Sequence, residues 1–158
     1  MNRQKTCCFT GHRAIASADV AQIKSRLDET LAELVQQGVI YFGSGGATGF
    51  DTLAALAVLK LRERNPAVKL IMVLPCRDQD AKWSDGDRET YKRILTAADK
   101  IVYTSERYYD GCMAKRNLHL AENSAVCVAY HTHGRSGTAQ TVRYARERGL
   151  RIINLAEN

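Results

Sequence analysis

The sequence predicts an α/β fold: a three-layer sandwich around a mostly parallel sheet of about six strands. Three observations predict it. Strand-like and helix-like segments alternate along the chain. The strand segments, such as KLIMVL at 69–74 and AVCVAY at 125–130, are continuous apolar runs. Strands of that kind are covered on both faces, as in parallel sheets. The glycines, hydroxyls and basic residues gather after the strand ends, where open parallel sheets hold their ligands.

The elements follow in order. Residues 6–10, TCCFT, form a short first strand ending at Gly11-His12-Arg13. A helix is expected from Ser17 or Asp19 to Gln37. Val20, Ile23, Leu27, Leu31, Leu34 and Val35 keep its period, and Gly38 stops it. Residues 39–42 are the second strand. A glycine-rich turn then leads into a helix over 49–64 that is apolar on nearly every side, with Phe50, Leu53, Leu56, Ala57, Leu59 and Leu61. Such a helix is buried on more than one face, and a second subunit is one candidate for the cover. Asn65-Pro66 ends it. Residues 69–74 are the third strand. A polar loop carrying Trp83 follows. Ser84 and Asp87 have the spacing of a capping box for a helix reaching Ala98. A strand over 100–103, a tyrosine-rich loop, a helix over 111–123, a strand over 125–130, a helix over 138–148 and a closing strand over 150–154 complete the chain.

The 158 residues suit one domain over 1–158. No apolar run reaches the length of a membrane span. Residues 1–5 lead straight into the first strand, so no signal peptide is expected. The five cysteines form no C-x-x-C pair and are odd in number. That favours reduced, buried thiols in a cytoplasmic protein over a disulfide framework or a zinc site. The net charge of +6 favours anionic partners, nucleotides and nucleic acid among them, or simply a soluble basic surface.

The stretch 41–61, YFGSGGATGFDTLAALAVLKL, reads strand, glycine turn, helix. Glycines let backbone approach an anion, and the helix offers free N–H groups. Ser44, Gly45, Gly46 and Gly49 are therefore phosphate-cradle candidates, or a ligand-free tight turn. The stretch is neither G-x-G-x-x-G nor a Walker A loop. Arg13 has the geometry to clamp a phosphate, or is a surface arginine. His12 is a candidate acid or base, or a backbone-bonding histidine. Asp51 would serve a ribose hydroxyl or a metal, though a carboxylate in the first helical turn is favourable by itself. Ser136, Gly137 and Thr138 open the last helix as a second phosphate contact, as an N-cap, or as both. Asn117 falls on the inward face of its helix, one turn from Met113, and either secures a loop or touches ligand. His131 and His133 have no third metal ligand, so no metal is expected. Trp83, Tyr108 and Tyr109 are able to stack on a base or to close the core.

TGHR at 10–13, SGGATGFDTLAA at 44–55, Arg116-Asn117 followed by Ser124, and SGTAQT at 136–141 occur in an order that resembles the SLOG superfamily of Rossmann-like domains. That superfamily includes the DprA and Smf DNA-processing proteins and the "Lonely guy" phosphoribohydrolases. The chain is most similar to the small bacterial proteins of the YpsA family. The resemblance implies a nucleotide pocket in which Gly45, Gly46, Gly49, Gly137 and Thr138 hold phosphate while Arg116 and Asn117 support the site. The phosphoribohydrolases carry Gly-Gly-x-Gly-Thr-x-x-Glu, and Thr141 stands at the glutamate position here. That departure argues against glycosidase activity.

The preferred expectation is a nucleotide-binding or nucleotide-sensing module that requires no cofactor. One alternative is a nucleoside-phosphate hydrolase or transferase with Asp51 or His12 as acid or base. The other is a weak single-stranded nucleic-acid binder using Arg135, Arg143, Arg146, Arg148 and Arg151, or else those arginines are a solvated helix face. A homodimer is a further candidate.

Overall fold

The computed structural model describes residues 2–132 and 137–157. Six strands form one parallel sheet: β1 (Thr6–Gly11), β2 (Tyr41–Ser44), β3 (Lys69–Leu74), β4 (Lys100–Tyr103), β5 (Val126–Tyr130) and β6 (Arg151–Asn154). Their spatial order is β4-β3-β2-β1-β5-β6. Five α-helices connect them: α1 (Val20–Gln36), α2 (Phe50–Arg64), α3 (Asp85–Ala97), α4 (Cys112–Glu122) and α5 (Gly137–Glu147). The chain steps outward from β1 to β4 and then returns to the other side of β1 with β5. The order therefore reverses between β1 and β5, the switch point at which such sheets leave a crevice.

Alternation within each strand sorts the side chains into two cores. Cys7, Phe9, Phe42, Leu70, Met72, Val126 and Val128 face α1, α2 and α3. Cys8, Ile71, Val73, Cys127 and Ala129 face α4 and α5. Burying both faces is what the apolar strand runs require. All five cysteines are buried and free. No helix of the described residues is long and apolar enough to cross a membrane.

Most boundaries fall within two residues of expectation. Gly38 adopts φ 100° and ends α1 as a left-handed stop, with Val39 N–H donating to Leu34 O at 3.0 Å. Ser84 Oγ accepts from Asp87 N–H at 3.2 Å, which supplies the cap of α3. The second strand differs. It runs Tyr41–Ser44, so Gly43 and Ser44 are strand rather than turn. A Cβ on Gly43 would stand 3.0 Å from Leu120 Cδ2, so the glycine lets α4 lie close to the sheet.

Helix α2 is buried on more than one face, as its apolar circumference predicts, but not all round. Phe50, Asp51, Ala54, Ala55 and Val58 are buried, while Leu53, Ala57, Leu59 and Leu61 are half-buried against the core. Leu56 is 39% exposed and shares the outer stripe with Lys60 and Glu63. The sheet and the neighbouring helices α1 and α3 take up the other sides.

Candidate site at the carboxyl ends of β1 and β5

A cleft of about 240 Å³ opens at the switch point. Its walls come from four places: the end of β1 (Phe9–Arg13), the start of α2 (Ala47 and Asp51), the inner face of α4 (Met113, Arg116 and Asn117) and the first turn of α5 (Gly137 and Thr138). Of the residues expected to bind ligand, Gly11, His12, Arg13, Asp51, Arg116, Asn117, Gly137 and Thr138 meet here. Ser44, Gly45, Gly46 and Gly49 do not line the cleft. Ser136 lies outside the described residues, as do Arg135 and His133.

The glycine loop is a closed hydrogen-bonded unit. Gly46 N–H donates to Ser44 Oγ at 3.2 Å, and Ala47 N–H donates to Asp51 Oδ2 at 3.2 Å. Ser44 Oγ donates to Asp51 O at 3.0 Å, and Thr52 Oγ1 donates to Ala47 O at 2.8 Å. Two amides that a phosphate cradle would aim at an anion are thus engaged inside the protein. The glycines answer to packing instead. At Gly46, with φ +71°, a Cβ would press on Leu74 at 2.9 Å and on Met72 and Tyr91 at 3.1 Å. At Gly49, with φ +78°, it would overlap Arg13 O at 2.2 Å. A Cβ on Gly45 would meet the Arg116 guanidinium at 2.5–2.9 Å.

Arg116 is the floor of the site. It is only 3% exposed, although it is a full-length arginine. Nη1 donates to Gly45 O, Nε to Asn117 Oδ1 at 2.7 Å, and Nη2 points to Met113 Sδ at 3.7 Å. A guanidinium has five N–H donors, so two remain for a ligand. Asn117 is half-buried and buttresses Arg116, whereas its position one turn from Met113 suggested the deeper place. The missed signal is spacing: Cys112, Arg116 and Leu120 are four apart and form the buried face of α4. Thr10 and Met113 also line the cleft and were legible only as a strand residue and a core residue.

Burial dominates the electrostatics. Desolvation raises the Asp51 carboxyl above its ordinary value, against the opposing pull of Arg116, the Ala47 amide and Arg13. Desolvation likewise lowers Arg116, with Asp51 opposing and Arg13 reinforcing the shift. Arg13 is exposed at the mouth of the cleft and turns Nη2 toward Met113 Sδ at 3.6 Å. Two guanidinium groups therefore face one carboxylate that is itself reluctant to ionise. His12 Nε2 accepts from Thr132 N–H at 3.0 Å, a contact that fixes the ring against the end of β5. Thr141 is buried, and its hydroxyl donates to Gly137 O at 2.8 Å. Among the described residues, no group of three or more His, Cys, Asp or Glu side chains is arranged to hold a metal ion.

Comparison with known proteins agrees with this architecture. The chain is 30% identical over 139 residues to the uncharacterized SPbeta prophage-derived protein YoqJ of Bacillus subtilis, covering 80% of this chain and 81% of that protein. It is 27% identical to a UPF0398 protein of Halalkalibacterium halodurans, over 75% of this chain and 64% of that one. DNA processing protein A (DprA) from Streptococcus pneumoniae superposes with a TM-score of 0.66 at 18% identity, over 94% of this chain and 49% of its own. The Helicobacter pylori DprA, a structure described for its single-stranded DNA binding mode, gives 0.65 at 20% identity over 96% and 64%. The chain thus spans about half to two thirds of the length of these two structures. The model of the YspA SLOG family matches residues 7–148, so the chain belongs to that family.

Proposed function

We propose that the chain binds a nucleotide or nucleotide derivative in the cleft between the ends of β1 and β5, with its phosphate on Arg13 and Arg116. The observation that carries this reading is the excess of positive charge in a partly closed site: two guanidinium groups against one carboxylate whose burial disfavours its charge. Arginine is suited to phosphate because its fork matches two oxygens at once. The first turn of α5 adds the positive end of a helix dipole at Gly137 and Thr138. The location supports it as well, since the sheet reverses its order there.

The glycine loop enters this reading indirectly. Its closed network fixes Asp51 and Gly45, and through Gly45 it fixes Arg116. No catalytic step is assigned. The carboxylate of Asp51 is occupied by the Ala47 amide, and Thr141 offers no carboxylate from α5. A single-stranded nucleic acid is the second reading, favoured by the likeness to the DprA structures. It would use the same cleft for one of its phosphates. The free thiols suit a reducing compartment such as the cytoplasm.

The test is a thermal-shift and calorimetric screen against purine and pyrimidine nucleotides, repeated on Arg13→Ala. A true ligand at about 100 Kd adds roughly 2.7 kcal/mol to stability. The reading predicts such a shift in the native protein and its loss in the variant. A ligand whose affinity is the same in both would refute it.

A further inference from the structure

A second cleft, of about 230 Å³, lies on the far side of α5's first turns, against the ends of β5 and β6. Arg143 and Arg146 line it, three residues apart and so on one face of the helix. Both are exposed, and among the described residues neither guanidinium makes an ion pair or a hydrogen bond. Their neighbours behave differently: Arg148 pairs with Glu122 at 3.1 Å, and Arg151 donates to Gln37 Oε1 at 2.8 Å. The opposing charge in the cleft is Glu157, whose Oε1 lies 3.4 Å from Asn154 Nδ2.

The wall between the two clefts is polar and hydrogen-bonded. Asn154 clamps the backbone of His131 from both sides: His131 N–H donates to Asn154 Oδ1 at 3.1 Å, and Asn154 Nδ2 donates to His131 O at 2.9 Å. The His131 ring lines the second cleft and stands 5.6 Å from the His12 ring, which lines the first. His131 Nδ1 is buried and has no hydrogen-bond partner. A buried polar atom normally has a protein or water partner, so this one marks an incompletely satisfied polar wall.

We infer that this second cleft is a further phosphate subsite, so that the preferred ligand carries two separated phosphoryl groups rather than one. The inference rests on the nucleotide reading of the first cleft. Helix α5 joins the two positions. Thr138 stands in the first cleft, and Arg143 and Arg146 lie five and eight residues on, roughly 8–12 Å along the axis. Long side chains on a helix lean toward its N-terminus, the end that carries Thr138. The shared chemistry is a pair of phosphates on one nucleotide unit, either in a bisphosphorylated nucleotide or in a single strand.

The experiment compares thymidine 5′-monophosphate, thymidine 3′,5′-bisphosphate and oligothymidylate by calorimetry, on the native protein, Arg143→Gln/Arg146→Gln and Arg13→Ala. The native protein is expected to prefer the bisphosphate over the monophosphate by about tenfold, the scale of one charge-assisted contact. The double variant is expected to lose that preference and to keep its monophosphate affinity and melting temperature. Arg13→Ala is expected to weaken both compounds. Oligothymidylate binding more tightly than the bisphosphate, with the same arginine dependence, supports a strand as the source; equal binding supports a small ligand. Equal affinity of the native protein for both compounds, or a preference that survives the double substitution, overturns the inference and leaves the first cleft's reading intact. Binding of none of the three overturns this inference, while the reading of the first cleft stands or falls on the screen of purine and pyrimidine nucleotides.

Discussion

Arg13 and Arg116 share one weak acceptor: each turns an Nη2 toward Met113 Sδ, at 3.6 and 3.7 Å. A thioether sulfur is a poor partner for a guanidinium. The two cations come from different elements, the end of β1 and the inner face of α4, and they meet only because β1 is central in the sheet. Asp51 is the largest of the groups that oppose their repulsion at Arg116. An anion entering between them replaces a poor acceptor with strong ones, and this exchange underlies the predictions below.

Arg13→Ala is expected to leave stability within about 0.5 kcal/mol, because the residue is exposed. The same change should weaken an anionic ligand by about 1.5–3 kcal/mol, the value of a hydrogen bond to a charged group. Calorimetry beside thermal melting separates the two effects.

Arg116→Ala is expected to be far more damaging. It removes the charge that most opposes the raised Asp51 carboxyl, releases the Gly45 carbonyl and opens a void. Leaving a buried acceptor without its donor costs about 1–3 kcal/mol, and the void adds to it. Chemical denaturation measures the loss. A loss below about 1 kcal/mol would show that the floor of the site repacks easily.

Gly46→Ala should lower the melting temperature without lowering ligand affinity in the folded fraction. Its added carbon meets Leu74, Met72 and Tyr91 in the core, not the cleft, and its φ of +71° adds strain. Lost affinity in protein that remains folded would restore the loop to a direct role in binding.

The raised Asp51 carboxyl gives a signed pH dependence. In the folded protein Asp51 holds its proton to higher pH than in the unfolded chain. The stability it contributes is therefore full below its unfolded value, about pH 4, and falls as pH rises through the folded value. Relative to Asp51→Asn, the native protein should lose stability over that window and run parallel above it. Denaturant titrations of both proteins at several pH values test the sign. A native protein that gains on the variant as pH rises would reverse it.

The sheet, the helices and their order were legible because apolar runs and caps are local signals. The carboxyl edge was legible too: Gly11, His12 and Arg13 follow β1, and Gly137 and Thr138 open α5. What lies beneath that edge was not. Gly45 and Gly46 look alike in sequence, yet one makes room for Arg116 and the other for Leu74. Only tertiary packing separates them. Arg116 was assigned a supporting role, but its burial stays invisible while polar residues are assigned to outer faces. The second strand ends later than expected because Gly43 and Ser44 resemble a turn, and a strand with a glycine is read only once Leu120 is seen above it.

The most direct test of the central claim is a two-dimensional amide NMR titration with thymidine 5′-monophosphate. The account predicts shifts concentrated at Gly11–Arg13, Ala47, Asn117, Gly137 and Thr138, together with changes in the side-chain resonances of Arg13 and Arg116. Saturable shifts confined to another surface, such as the groove between α1 and α2 lined by Asp28, Lys60 and Arg64, would contradict it.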